Sequence, residues 1–153
     1  MLVIEGLRKS YGDLEVLKGI NLTIETSKIT TIVVASGAGK STLLHLIGTL
    51  DKPNAGSVKI DGLSLYQLSD KDLSDYRNQH IGFVFQFHHL LPEFTAVENI
   101  ALPALIKGIK KREAMQRAME LLEFLHLTDR AQHKPNELSG GEQQRVAVAR
   151  ALV

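Results

Sequence analysis

The stretch Ile29-Thr30-Thr31-Ile32-Val33-Val34-Ala35-Ser36-Gly37-Ala38-Gly39-Lys40-Ser41-Thr42-Leu43-Leu44 decides the fold. Its first part, ITTIVVA, is a β-branched apolar run of strand length, which predicts a strand buried on both faces, as in a parallel sheet. A glycine-rich turn follows, and Lys40 to Leu50 shows helical spacing with Leu43, Leu44, Ile47 and Leu50 on one side. Strand, glycine-rich loop, helix is the context that a phosphate-binding loop needs. Glycine lets backbone N–H groups face inward without a Cβ clash. Those amides form an anion nest, and the helix N-terminus adds about half a positive charge. In this reading Ser36, Gly37, Ala38 and Gly39 wrap a triphosphate and Lys40 reaches its β- and γ-phosphates. The Ser41 hydroxyl holds Mg²⁺, a hard cation suited to oxygen ligands, and Thr42 supports the α-phosphate. The bland alternative is a glycine-rich connector; Gly-Lys-Ser-Thr in this setting argues against it.

One residue departs from the full pattern G-x-x-x-x-G-K-[ST]. Its first glycine would fall at position 34, where this chain has Val34. A β-branched residue tolerates extended backbone and resists positive φ. An extended Val34 ends the strand at little cost, whereas a left-handed one would strain the loop. The amides nearest the phosphates begin at Gly37, so binding is expected to survive.

Outward from this loop, residues 2–7 and 16–24 read as strands separated by the turn cluster Ser10-Tyr11-Gly12-Asp13. Residues 57–60 and 81–85 read as further strands, and 68–78 as a short polar helix. Residues 88–94 read as a loop. Thr95-x-x-Glu98 has capping-box spacing and opens a helix through Ile100 that meets Pro103. Met115, Ala118, Met119, Leu122 and Leu125 line one face of an amphipathic helix over 110–127. That Met stripe reads as packing core.

The second informative run is Leu138-Ser139-Gly140-Gly141-Glu142-Gln143-Gln144-Arg145. Ser139-x-x-Glu142 is another capping box, so Ser139 sits at a helix start with Gly140 and Gly141 exposing amides. This is a second helix N-terminus able to face an anion.

Together these residues resemble an ATP-binding cassette (ABC) transporter ATPase. SGAGKST resembles its Walker A motif, LSGGEQQR its signature motif, and Gln86 in Phe83-Val84-Phe85-Gln86 its Q-loop glutamine. Tyr11 stands where the family places an aromatic that stacks on adenine. The run from Phe85 to Ile100 is similar to the lipoprotein-releasing branch, and macrolide-export and cell-division cassettes share much of it. The resemblance implies an α/β P-loop NTPase fold with an antiparallel β subdomain and a helical signature subdomain. It places the β subdomain and P-loop core in residues 1–85, and the Q-loop, helical subdomain and signature helix in 86–153.

The resemblance also implies ATP and Mg²⁺ as cofactors, with Lys40 and Gln86 catalytic and Ser41 and Gln86 holding the metal. Tyr11, residues 36–42 and Ser139, Gly140, Gly141 and Glu142 would contact the nucleotide. Two copies would dock head to tail, so that ATP on one P-loop meets Ser139, Gly140 and Gly141 of the other. Integral membrane subunits would receive the signal through the Q-loop, at the cytoplasmic face of the bacterial inner membrane. Residues 87–94 are the candidate docking surface, with plain core as the alternative for Phe87, Leu90, Leu91 and Phe94.

Only ten residues follow Gln143. The family's Walker B aspartate, catalytic glutamate and switch histidine are expected beyond that point. The expectation is therefore a partial nucleotide-binding domain with the C-terminal part of its core missing, inactive alone and marginally stable. The alternative function is a non-hydrolysing nucleotide-binding or assembly module. Two turn positions also depart from the family: Ser27-Lys28 replaces a Gly-Glu turn, and Ala55 replaces a common Ser before Gly56.

Composition narrows the remaining classes. Among 153 residues, 18 Lys+Arg face 17 Asp+Glu, a net charge of +1 that offers no electrostatic case for nucleic acid. Hydrophobic residues at 44% and charged residues at 23% exclude a disordered chain. The absence of cysteine excludes disulfides and thiolate chemistry. No apolar stretch approaches the roughly 20 residues of a membrane-spanning helix, and Glu5, Arg8 and Lys9 break any signal-peptide core. His88-His89 does not read as a metal pair, because adjacent residues do not converge on one ion.

Overall fold

The computed structural model describes residues 1–35 and 37–153, in two compact units, Met1–Arg77 and Asn78–Val153. The segment 78–85, placed above with the P-loop part, folds with the second unit.

The first unit is built on a four-stranded antiparallel sheet of order β2-β1-β3-β4. β1 (Leu2–Tyr11) and β2 (Leu14–Ile24) form a hairpin around Gly12 and Asp13. β3 (Ala55–Ile60) pairs with the other edge of β1, and β4 (Leu63–Ser64) follows after the Asp61-Gly62 turn. Helix α1 (Lys40–Ile47) packs on β2. Ile4, Leu7, Leu17, Leu43, Leu46 and Val58 form the core between sheet and helix. The buried face of α1 is thus Leu43 and Leu46; Leu44 and Leu50, expected on that face, are exposed. A single sheet gives α1 one apolar surface to cover, and a 100°-wide stripe suffices for it.

The strand expected over 29–35 is not formed, nor is the one over 81–85. Ile29 is 100% exposed and Val33 84% exposed, the opposite of a strand buried on both faces. The physical reason is pairing. A parallel strand needs hydrogen-bonded neighbours, and every ladder among the described residues is antiparallel and involves β1 or β3. The antiparallel subdomain of the expected fold is present, and its parallel core is not assembled among these residues.

Helix α2 (Asp70–His80) carries the chain onward. In the second unit α3 (Ala96–Ile106), α4 (Lys111–Phe124) and α5 (Gly140–Leu152) pack together. Small residues, Ala96, Ala101, Ala104, Ala114, Ala118 and Ala149, let these helices approach around Ile100, Leu122 and Val146. Met115, Met119 and Leu125 pack at the rim of this core, as the stripe predicts. Helix α3 meets Pro103, as expected, and runs on through it to Ile106.

Candidate functional site

The P-loop leads into α1 through two left-handed glycines, Gly37 (φ 79°) and Gly39 (φ 89°). Gly39 is the residue preceding the helix, and no side chain caps its N–H groups. No acidic residue occupies the first turn. Among the described residues no side chain claims the orphan donors of α1, and no acid compensates the dipole at that end. Gly39 is also required by space: a Cβ there would lie 2.9 Å from Val16 Cγ1 and 3.0 Å from Leu17 Cδ2. A cradle that only glycine fits, followed by bare amides and a lysine, suits a polyphosphate.

Lys40 Nζ donates to the carbonyls of Val34 at 2.9 Å and Ala35 at 3.0 Å. The ammonium thereby bridges the entry of the loop while the carbonyls partly satisfy it. Val34 is not among the described residues with positive φ, so its β-branched side chain imposes no left-handed strain. Ser41 is exposed at the first turn of α1. Ser36, expected to line the same nest, lies outside the described residues.

Tyr11, at the end of β1, is 49% exposed. Its hydroxyl donates to Asp51 Oδ2 at 2.7 Å. Lys9 Nζ sits 4.9 Å from the centre of its ring and donates to Asp51 Oδ1 at 2.7 Å and to the Lys52 carbonyl at 2.7 Å. The hydrogen bond to Asp51 raises the Tyr11 pKa, while Lys9 and Tyr11 hold the Asp51 carboxyl below its usual range. Lys9 and Asp51 fix the ring beside α1, and sequence reading missed both. Their signal was faint: an acid-base pair 42 residues apart carries no spacing pattern.

In the second unit Ser139 caps α5 as expected. Its Oγ accepts from the Glu142 N–H at 3.3 Å, and Glu142 Oε2 accepts from the Ser139 N–H at 2.7 Å and from its Oγ at 2.8 Å. Arg130 Nε donates to Glu142 Oε1 at 3.0 Å. These donors pull the Glu142 carboxyl down to about 2. Glu142, expected among the nucleotide contacts, is thus committed to its own helix start, while Gly140 and Gly141 are exposed. Beside this end is a cleft of about 300 Å³ lined by residues 126–130 and Glu142. Asp129 and Glu142 there make it a poor seat for phosphate.

Gln86 is exposed in a turn after residues 81–85. The following residues, His88 (φ 61°) and His89 (φ 47°), both adopt left-handed backbone. Buried Asn99 of α3 holds the next stretch: its Nδ2 donates to the carbonyls of Leu91, Phe94 and Thr95, and its Oδ1 accepts from the Leu91 N–H. Phe87, Leu91 and Phe94 are exposed apolar residues on this loop, and Leu90 packs against the helical core. Among the described residues, no helix is long and apolar enough to cross a membrane.

Known proteins share this arrangement. A family profile described as ABC transporter matches residues 17–153. The lipoprotein-releasing system ATP-binding protein LolD of Bacteroides thetaiotaomicron is 61% identical, over 100% of this chain and 70% of its own length. LolD of Bacteroides fragilis is 59% identical, over 100% of this chain and 71% of its own. Among solved structures, the dimeric post-hydrolysis ATP-binding cassette MJ0796, bound to ADP and Pi, superposes with a TM-score of 0.92 at 44% identity. That match covers 99% of this chain and 69% of MJ0796. The chain thus spans about 70% of the length of these relatives. With a glycine cradle on an uncapped helix, a capped LSGGEQQR helix and this degree of identity, the chain belongs to the ABC transporter family of ATP-binding cassette ATPases.

Proposed function

We propose that this chain is the ATP-binding part of a transporter that releases lipoproteins from the bacterial inner membrane, docked at the cytoplasmic face on integral membrane subunits. The reading rests on the identity to two LolD proteins and on the exposed Phe87, Leu91 and Phe94. Bound Mg²⁺·ATP supplies a phosphoanhydride whose cleavage changes what joins two copies.

Lys40 exchanges its two carbonyl partners for phosphate oxygens, a gain because the charge then meets charge. Gly37, Ala38, Gly39 and Thr42 would turn amides and a hydroxyl to the chain of phosphates; Ser36, expected beside them, lies outside the described residues. As the resemblance implies, Ser41 and Gln86 would supply oxygens to Mg²⁺, and Gln86 would orient water. Tyr11, steadied by Asp51 and Lys9, offers its ring to adenine. Ser139, Gly140 and Gly141 of a second copy, docked head to tail, close over the γ-phosphate, with Glu142 fixing their helix start.

The observation that carries the ATP site is the start of α1, with no side-chain cap, behind a glycine that space and φ both demand. Titration of Mg·ATP into the parent and into Lys40→Ala tests it. Lys40→Ala is expected to weaken binding at least about tenfold, the value of one charge-assisted contact. Equal affinity would refute the site. For the cargo, depletion in the native bacterium should leave lipoproteins in the inner membrane; unchanged sorting refutes that assignment while leaving the ATP site intact.

A further inference from the structure

The loop after Gln86 is held in an unusual shape, and one side chain holds it. His88 and His89 are consecutive non-glycine residues in left-handed backbone, a conformation that persists only when the surroundings impose it. Arg150, near the C-terminal end of α5, donates through Nη2 to the His88 carbonyl at 2.7 Å and through Nη1 to the His89 carbonyl at 2.7 Å. A planar guanidinium fork fits two successive carbonyls as a lysine cannot. The same end of α5 grips the segment at a second point. Gly82 lies so close to Ala151 that a Cβ there would collide with the Ala151 carbonyl. The turn also closes on itself, with the His88 N–H donating to the Phe85 carbonyl at 3.1 Å and the Phe85 and His89 rings meeting edge to face at 4.9 Å.

We propose that Arg150 is a positioning residue for the Gln86 loop, clamping the His88 and His89 carbonyls so that the loop moves with α5. Helix α5 has 13 residues, about 20 Å of rigid rod. Its N-terminal end carries Ser139, Gly140 and Gly141, and its C-terminal end carries the clamp. A displacement of the Ser139 end is therefore delivered to the stretch that begins two residues after Gln86. The functional meaning of this rests on the role proposed above for Gln86; the clamp itself is read without nucleotide, so the two can fail separately.

Amide hydrogen–deuterium exchange on the 153-residue chain tests it, comparing the parent with Arg150→Ala and Arg150→Lys. Arg150→Ala is expected to speed exchange at His88 and His89 roughly tenfold or more, while Leu91, whose N–H is held by Asn99, and the interiors of α3 and α5 change less than about twofold. Arg150→Lys, able to reach one carbonyl at a time, should recover part of that protection. His88 and His89 amides that stay protected in Arg150→Ala would overturn the clamp. So would a uniform rise across loop and helices, which would make Arg150 ordinary packing. Full protection by lysine would equally overturn the two-carbonyl geometry.

Discussion

Gly39 carries two constraints that Gly37 carries only in part, and the pair can be separated by adding one methyl group. At Gly39 an alanine would hold φ near 89°, which costs an L-residue about 1–2 kcal/mol. Its Cβ would also stand 2.9 Å from Val16 Cγ1, 3.0 Å from Leu17 Cδ2 and 3.4 Å from the Val16 carbonyl. Leu17 is buried in the sheet core and cannot swing into solvent. Overpacking of this kind costs about 1–3 kcal/mol more. Gly37 has φ 79° and open space around a would-be Cβ, so Gly37→Ala pays the backbone term alone. Gly39→Ala is therefore expected to lose about 2–5 kcal/mol of stability and Gly37→Ala about 1–2. Urea unfolding followed by circular dichroism measures both, with unchanged slopes confirming like-for-like transitions. If the loop yields instead of the core, the cost moves into the site, and Gly39→Ala loses Mg·ATP affinity by tenfold for each 1.4 kcal/mol displaced. A Gly39→Ala chain that unfolds with Gly37→Ala and binds ATP like the parent would refute the seating of this glycine on β2.

Three further outcomes follow from single residues. Val34→Gly should change Mg·ATP affinity less than about threefold, because Lys40 engages the main-chain oxygen that glycine retains; a gain above tenfold would show that Val34 strains the loop. Ser27 stands at φ 61°, where the family more often has glycine, so Ser27→Gly should raise stability by about 1 kcal/mol in thermal or urea melts, and a loss would contradict it. Glu142 has its carboxyl lowered from 4.5 to about 2 in the folded chain, so its contribution is complete above pH 4.5 and disappears as pH falls toward 2. Glu142→Gln keeps a capping-box side chain without a titrating charge, and the acid loss of stability over that window should become shallower; identical pH curves would refute the linkage.

What the sequence made legible divides along the range of the interactions. Capping boxes at Thr95 and Ser139 act over three residues, and both form as spacing predicts. The α4 stripe obeys helical period, and its Ala118 and Leu122 are buried. The P-loop glycines take the positive φ that their type permits. Residues 29–35 and 81–85 failed as strands because a strand is not a local object: β-branched composition states a preference, and a ladder partner realises it. The clamp at Arg150 and the Lys9–Asp51–Tyr11 cluster were invisible for the same reason, since each joins residues about 40 or more positions apart.

The two helix starts proposed to enclose the triphosphate are chemically unequal, and the inequality sets their order of action. Among the described residues the α1 start has neither a capping side chain nor a first-turn acid, so an anion displaces only the neutral carbonyls that Lys40 holds. The α5 start already holds a carboxylate, with Glu142 accepting both the N–H and the hydroxyl of Ser139. For the Ser139 hydroxyl to turn to a γ-phosphate it must leave a charged acceptor, and the phosphate must approach within reach of that charge. Arg130 offsets the repulsion by drawing one carboxylate oxygen toward itself. In the dimer proposed above, nucleotide would therefore bind α1 first, and the second copy would close with a smaller net gain. A junction built on that smaller gain would open when the phosphate it faces is lost. Breaking the pair with Arg130→Ala returns the full carboxylate to the Ser139 end, and ATP-induced dimerisation, measured by sedimentation, should weaken while monomer affinity for ATP stays the same. Equal weakening of both would place Arg130 in the folding of the unit instead of in the closure.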